Sequence, residues 1–304
     1  MNPLFDRSLV VISGKGGVGR TTVAAALARA AANAGKRVLI AASAPTDRLG
    51  HLYGRAPLGP AVATVAPGID AVNMTAESAL REYGVLTLRS ELVARALLEN
   101  RAARSFLNAV PGLDAYALLG KAWWHTTERA NGRLRYDLTI LDGPASGHAA
   151  LMLRIPGSIL AAMPKGPLAP DARAIDELLH DPARAALLIV TLPEELPARE
   201  AGELAAAVRA LGLPLGPLVV NAVPSDDATA PALAPILQRA SAIDDPALAA
   251  TLRLAIAAGA HRRLAEQTIA GLRRDLGLPI LTLPRLPTVD VGPAGLATLA
   301  AGFA

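Results

Sequence analysis

The chain has 304 residues, 30 Lys and Arg against 26 Asp and Glu for a net charge of +4, 52% hydrophobic residues and no cysteine. That length buries a sizeable core in one large domain or two tightly joined ones, and the absence of thiols excludes disulfides and thiolate sites for thiophilic ions. Aromatics make up only 3% and the basic residues, nearly all Arg, are scattered, so nucleic acid is not an expected partner.

The opening MNPLFDRS has no charged n-region leading into a separate apolar stretch, which points to a cytoplasmic protein. Mean hydropathy of +0.35 reflects alanine content, and no window approaches the roughly 18 to 20 apolar residues of a bilayer span. The first Val/Ile/Leu-rich run, Leu9 to Ser13, reads as a strand buried on both faces. A helix from Thr21 to Ala34 and a second strand from Arg37 to Ser43 follow. Between Ala76 and Arg133 the strand signal disappears, and helices are predicted at Glu77 to Tyr83, Arg89 to Asn108 and Leu113 to Asn131. The third apolar run, Tyr136 to Asp142, leads into a helical stretch from Gly147 to His180, broken by Pro156, Pro164, Pro167 and Pro170. Beyond it come a strand at Ala186 to Leu192, a helix at Pro197 to Leu211, a strand at Gly216 to Ala222 and a proline-dense connection at Val223 to Pro235. A helix at Pro246 to Leu276 and a strand at Pro279 to Pro284 complete the series. Such alternation predicts an α/β fold, a mostly parallel sheet flanked by helices, in one domain over 1–304 with a helical insert at 76–133.

The segment SGKGGVGRTT, Ser13 to Thr22, follows the first strand and opens the first helix. A strand that ends in glycines and runs into a helix aims successive backbone N–H groups and the positive helix end at one point, as a polyphosphate requires. Gly14, Gly16, Gly17 and Gly19 allow backbone torsions and approaches that side chains block, with Lys15, Val18, Arg20, Thr21 and Thr22 completing the loop. Thr21 stands where the general pattern GxxxxGK[ST] places the Mg²⁺-binding hydroxyl, while Arg20 stands in place of its lysine. A planar guanidinium is larger than a compact ammonium and prefers to fork across two oxygens, so this exchange is expected to slow hydrolysis while binding survives. An apolar strand ending in Asp142 sets a carboxylate beside that loop, suited to a Mg²⁺-bound water; the alternative is an aspartate that caps the next helix.

On these residues the sequence resembles the deviant P-loop ATPases, and among them the arsenical-pump-driving and tail-anchored-protein-targeting ATPases, relatives of the anion-transporting ATPases. The resemblance is carried by SGKGGVGRTT, by ASAPTDRLGHLYG after the second strand, by YDLTILDGPASGH from Tyr136 to His148, and by VTLPEEL with the later VVNAVP. It implies a deviant Walker A loop in which Lys15 reaches the nucleotide of a partner subunit, and switch II following Asp142. It also implies a cytoplasmic ATPase that binds ATP and Mg²⁺ and works as a nucleotide-gated dimer, either a homodimer or a heterodimer with a paralogue. In the family's DPAHS-like switch I the first aspartate prepares the attacking water; alignment on Pro45 puts Ala44 there, with Asp47 three residues on as a possible replacement. No NKxD tetrapeptide is present, which favours adenine over guanine. Asn221 resembles the family's adenine-contacting asparagine and LPRLPTVDVGP its adenine-side loop, although an asparagine at a strand end is equally a turn former.

Without cysteine, neither arsenite activation nor a zinc-bridged dimer is expected. A membrane-protein client would need an apolar groove, to which the 76–133 insert could contribute, but its apolar spacing equally suits a packed helical subdomain. Trp123 and Trp124 are the best sequence hint of a contact surface. Two alternatives stand beside an active ATPase: a catalytically silent nucleotide-binding partner of an active paralogue, and a spatial organiser. The second is disfavoured because the C-terminal GLATLAAGFA carries no Lys or Arg for a membrane-binding tail.

Overall fold

The computed structural model describes residues 2–43, 46–75, 78, 79, 82, 112–165, 168–224, 246–288 and 290–304. Its centre is an eight-stranded sheet. In chain order its strands are β1 (Leu9–Gly14), β2 (Val38–Ala42), β3 (Ala63–Ala66), β4 (Ile69–Asn73), β7 (Leu138–Ala145), β8 (Ala185–Thr191), β9 (Leu218–Val223) and β10 (Ile280–Pro284). A separate hairpin of β5 (Arg129–Ala130) and β6 (Arg133–Leu134) precedes β7. The sheet order is β10-β9-β8-β1-β7-β2-β4-β3, parallel throughout except for the antiparallel β3–β4 edge.

Alternation along the strands splits the core in two, because successive side chains point to opposite faces. Val10, Ile12, Val38, Ile40, Leu138 and Ile140 face one side, where they meet α1 (Arg20–Asn33). Leu9, Val11, Leu39, Ala41 and Leu141 face the other. There they meet α3 (Leu113–Thr127), α4 (Ser146–Ala162), α5 (Ala169–His180), α6 (Glu195–Ala210) and the C-terminal end of α7 (Pro246–Leu276). The short α2 (Leu49–Leu52) and α8 (Pro293–Ala300) join the α1 side, where Leu296, Leu299 and Phe303 are buried. β1 and β7 lie side by side while the helices that follow them leave on opposite faces. A crevice therefore opens beyond their carboxyl ends, where ligands bind in open α/β sheets.

The six predicted strands all form, within three residues at either end. The edge strand β10 is only partly buried, with Leu283 its one buried residue and Thr282 and Pro284 exposed, in contrast to the expectation of burial on both faces. The β3–β4 hairpin was not anticipated: β3 is exposed at two of its four positions, so no continuous apolar run marks it. α3 ends at Thr127 instead of Asn131, because Asn131 and Gly132 both take positive φ (52° and 77°) and turn the β5–β6 hairpin. Pro156 does not break α4 but lies inside it with its ring buried, whereas Pro164 lies just past the end of α4 and Pro170 occupies the first turn of α5. Of the helix expected at Glu77 to Tyr83 only Ser78, Ala79 and Glu82 are described, all helical. The helix at Arg89 to Asn108 and most of the Val223 to Pro235 connection lie outside the described residues.

Candidate functional site: a glycine loop facing a buried carboxylate

β1 ends at Gly14, whose φ of 156° lets it pass so close to the β8 backbone that a Cβ would run into the Val190 carbonyl oxygen. The chain then turns through Gly17 and Gly19, with φ of 87° and 89°, before α1 begins. Among the described residues nothing lies within 4 Å of where a side chain at Gly16 or Gly17 would start, so that part of the loop is open to them, while Val18 is buried beneath it. Among the described residues no side chain caps α1 at Gly19, so the first-turn N–H groups of Arg20, Thr21 and Thr22 are placed to meet an outside acceptor.

Asp142, on β7 beside the loop, is 6% exposed. Thr21 Oγ1 donates to Asp142 Oδ2 at 2.6 Å. Burial pushes the Asp142 carboxyl above its ordinary range, and the Thr21 hydrogen bond and the Arg20 charge partly offset that. A hydroxyl touching a carboxylate at the loop's mouth is the hard oxygen pair that Mg²⁺ uses together with phosphates; among the described residues no cluster of three or more acidic or His side chains offers an all-protein metal cage. The Thr21 hydroxyl and Asp142 carboxylate therefore fit a magnesium ion carried with phosphates.

The following segment is pinned to the loop. Ser13 Oγ donates to the Pro144 carbonyl at 2.8 Å, and Arg20 Nη1 donates to the Gly143 carbonyl. Lys15 pairs with Glu200 on α6, and Glu200 also accepts from Ser146 Oγ at 3.3 Å. Lys15 and its hydrogen bond hold the Glu200 carboxyl below the usual carboxylate range. Glu200 carries no motif, and Ser146, although it lies within YDLTILDGPASGH, has no signal of its own there, so the sequence singled out neither.

On the other flank of the loop a cavity of about 280 Å³ is lined by residues from the carboxyl ends of several strands, among them Pro193, Glu194, Asn221 and Arg285, with His261 from α7. Asn221 Nδ2 donates to the Val18 carbonyl at 2.9 Å, fastening β9 to the loop, and Ala222 takes an unusual positive φ of 54°. Arg285 falls within the segment read as the adenine-side loop; His261 had no sequence signal.

Asp47 faces its own turn. Its Oδ1 accepts from Leu49 N at 3.0 Å, and its Oδ2 accepts from Gly50 N at 3.0 Å and Leu58 N at 2.8 Å. Ala44 lies outside the described residues. Trp123 and Trp124 are both half-buried, Trp123 against the core and Trp124 edge-on to His125.

The anion-transporting ATPase family model matches residues 7–166, a little over half of the chain and the part that holds the loop, Asp142 and α4. The chain belongs to this family. Members and relatives that it resembles include the ATPase BagA of Mycobacterium tuberculosis, 29% identical over 219 residues, covering 70% of this chain and 64% of that protein. The arsenical pump-driving ATPase of Escherichia coli is 26% identical over 307 residues, covering 94% of this chain and 48% of its own. That of Acidiphilium multivorum is 27% identical over 242 residues, covering 73% and 40%. The chain thus spans less than two thirds of the length of these relatives. Among its described residues no helix is long and apolar enough to cross a membrane.

Proposed function

We propose that the chain binds ATP with Mg²⁺ and acts as a slow, nucleotide-gated ATPase. The observation that carries this reading is the Thr21–Asp142 contact at the mouth of an open glycine loop. In it, the loop N–H groups from Gly16 to Thr22 receive the phosphates, and Thr21 and Asp142 hold the metal, either directly or through its water. The ion would offset charge on the β- and γ-phosphate oxygens. The cavity beside Asn221 and Arg285 takes the base, and its size is near the lower end for ligand pockets. Names of relatives as ATPases and pump-driving ATPases support the activity coarsely.

Slowness follows from two positions. Arg20 replaces the loop lysine and spends its guanidinium on Gly143, and Ala44 supplies no carboxylate. We read Asp47 as the residue that holds the switch I turn, since its carboxylate already accepts three backbone N–H groups. These observations also favour the second reading, a silent nucleotide-binding partner of an active paralogue. Single-turnover hydrolysis of ATP, with Arg20→Lys and Ala44→Asp alongside, separates the two: a measurable wild-type rate supports the ATPase, and turnover only in the substituted proteins supports the silent partner. Titration calorimetry that finds no heat of Mg·ATP binding would overturn both. Assembly as a dimer, through Lys15 reaching the other subunit's phosphates, belongs to the same proposal, as does a membrane-protein client; most of the 76–133 insert that would receive a client lies outside the described residues.

A further inference from the structure

Both cations of the phosphate loop are engaged inside their own chain, Arg20 directly on the segment after Asp142 and Lys15 on Glu200, which reaches the same segment. Arg20 holds the carbonyl of Gly143, the residue after Asp142. Lys15 pairs with Glu200, whose other oxygen accepts from Ser146, the first residue of α4. Ser13 adds a third tie, to Pro144. The segment Gly143 to Ser146 is thus tied to the loop at one end by Arg20 and at the other, through Glu200, by Lys15, the two side chains whose charge a triphosphate would attract. The arrangement is not a buried ion pair fixed by packing: the side chains of Lys15 and Glu200 are 29% and 26% exposed, so water and ligand oxygens can compete for the ammonium.

We propose that Glu200 is an in-chain latch: it holds Lys15 and the start of α4 in a resting arrangement, and phosphate oxygens displace it to release both. The inference rests on the nucleotide-binding reading above. Glu200 and a phosphate are both anions that compete for one ammonium. Lys15 must therefore leave Glu200 before it can extend toward any phosphate outside its present reach. When it leaves, the Ser146–Glu200 contact loses the charge that positions the carboxylate, and the residues after Asp142 are freed to follow the ligand. Arg20 follows the same course on Gly143. Glu200 is a positioning residue in this scheme, acting through Lys15 and Ser146.

The test compares wild type with Glu200→Gln, which keeps the shape and an acceptor for Ser146 but removes the charge, and with Ser146→Ala, which removes only the second arm. Hydrogen exchange of peptides covering residues 143–148 is measured in nucleotide-free protein, and the half-saturating concentration of a non-hydrolysable ATP analogue with Mg²⁺ is measured for each. Expected is a two- to fivefold faster exchange of this segment in Glu200→Gln, with a smaller effect in Ser146→Ala, and a half-saturating concentration lowered by about the same factor. Unchanged exchange and unchanged half-saturation in Glu200→Gln would overturn the latch. Failure of the analogue to bind wild type would sink the nucleotide reading, while the exchange comparison, made without nucleotide, would still report on the latch.

Discussion

At the residue scale, each glycine of the loop has its own reason, and the reasons differ enough to be tested. Gly19 combines a left-handed φ with a Cβ position already occupied by the Asn221 carboxamide, so Gly19→Ala should destabilise the fold by about 1–3 kcal/mol and displace Asn221 from the loop. Gly16 has neither constraint, so Gly16→Ala should stay within about 0.5 kcal/mol of wild type; urea unfolding of the pair checks both. Asp47→Ala leaves three backbone donors without their acceptor and should cost about 1–3 kcal/mol in the same assay. Should Asp47→Asn instead retain full stability and abolish single-turnover hydrolysis, Asp47 is the water-preparing carboxylate. The loop, Asp142 and Asn221 were legible because their residue types sit at strand ends in fixed order. Glu200 was not, because nothing in the run PAREAGEL distinguishes one helical acid from its neighbours; only the packing of α6 against the sheet brings it to Lys15.

At the element scale, the predicted strands were readable where both faces are buried, as in β1, β2 and β8, since such strands appear as unbroken apolar runs. The β3–β4 and β5–β6 hairpins were missed because they lie at or off the sheet edge, where only turn residues such as Asn131-Gly132 announce them. The second hairpin belongs to a polar cluster at the amino ends of the strands. There His125 Nδ1 lies 2.8 Å from Glu128 Oε2, Arg135 donates to Glu128 Oε1 at 2.8 Å, and the Tyr136 hydroxyl donates to Asp70 at 2.9 Å. Burial pushes His125 below 6.5, and its Nε2 is buried without a partner among the described residues. Burial raises Glu128, but the hydrogen bonds from His125 and Arg135 outweigh it and leave the carboxyl below its ordinary range. The signs agree. As pH falls through 6.5 the unfolded His125 protonates before the folded one, so stability declines as pH drops below 6.5. That of Glu128 is present above 4.5 and is lost as pH falls through its lower folded value. Glu128→Gln should lower the melting temperature by about 2–4 °C at pH 7, with the gap to wild type closing below pH 4.5 in a thermal-melt series.

For the whole molecule, the α/β class and parallel sheet were readable because strand and helix signals alternate along the chain, whereas the sheet order was not: it depends on which face each crossover takes, and no local pattern records that. Helix α1 shows what the order achieves. Val23, Ala24, Ala25, Ala26, Leu27, Ala28, Ala30 and Ala31 are all buried in it, because it packs against both the sheet and α8, the latter fastened further by Arg29 Nη1 donating to the Pro293 carbonyl at 3.1 Å. The short side chains of α1 let the sheet and α8 approach it closely and leave that mount no slack. Amide exchange across residues 24–31 should accordingly be among the slowest in the protein, whatever is bound. If the mount does not yield, the work of responding to a ligand falls wholly on the opposite wall of the crevice. The molecule then resembles a vice with one fixed jaw, and changes in ligand state should be read out through α4 and α6 rather than through the helix that carries the loop.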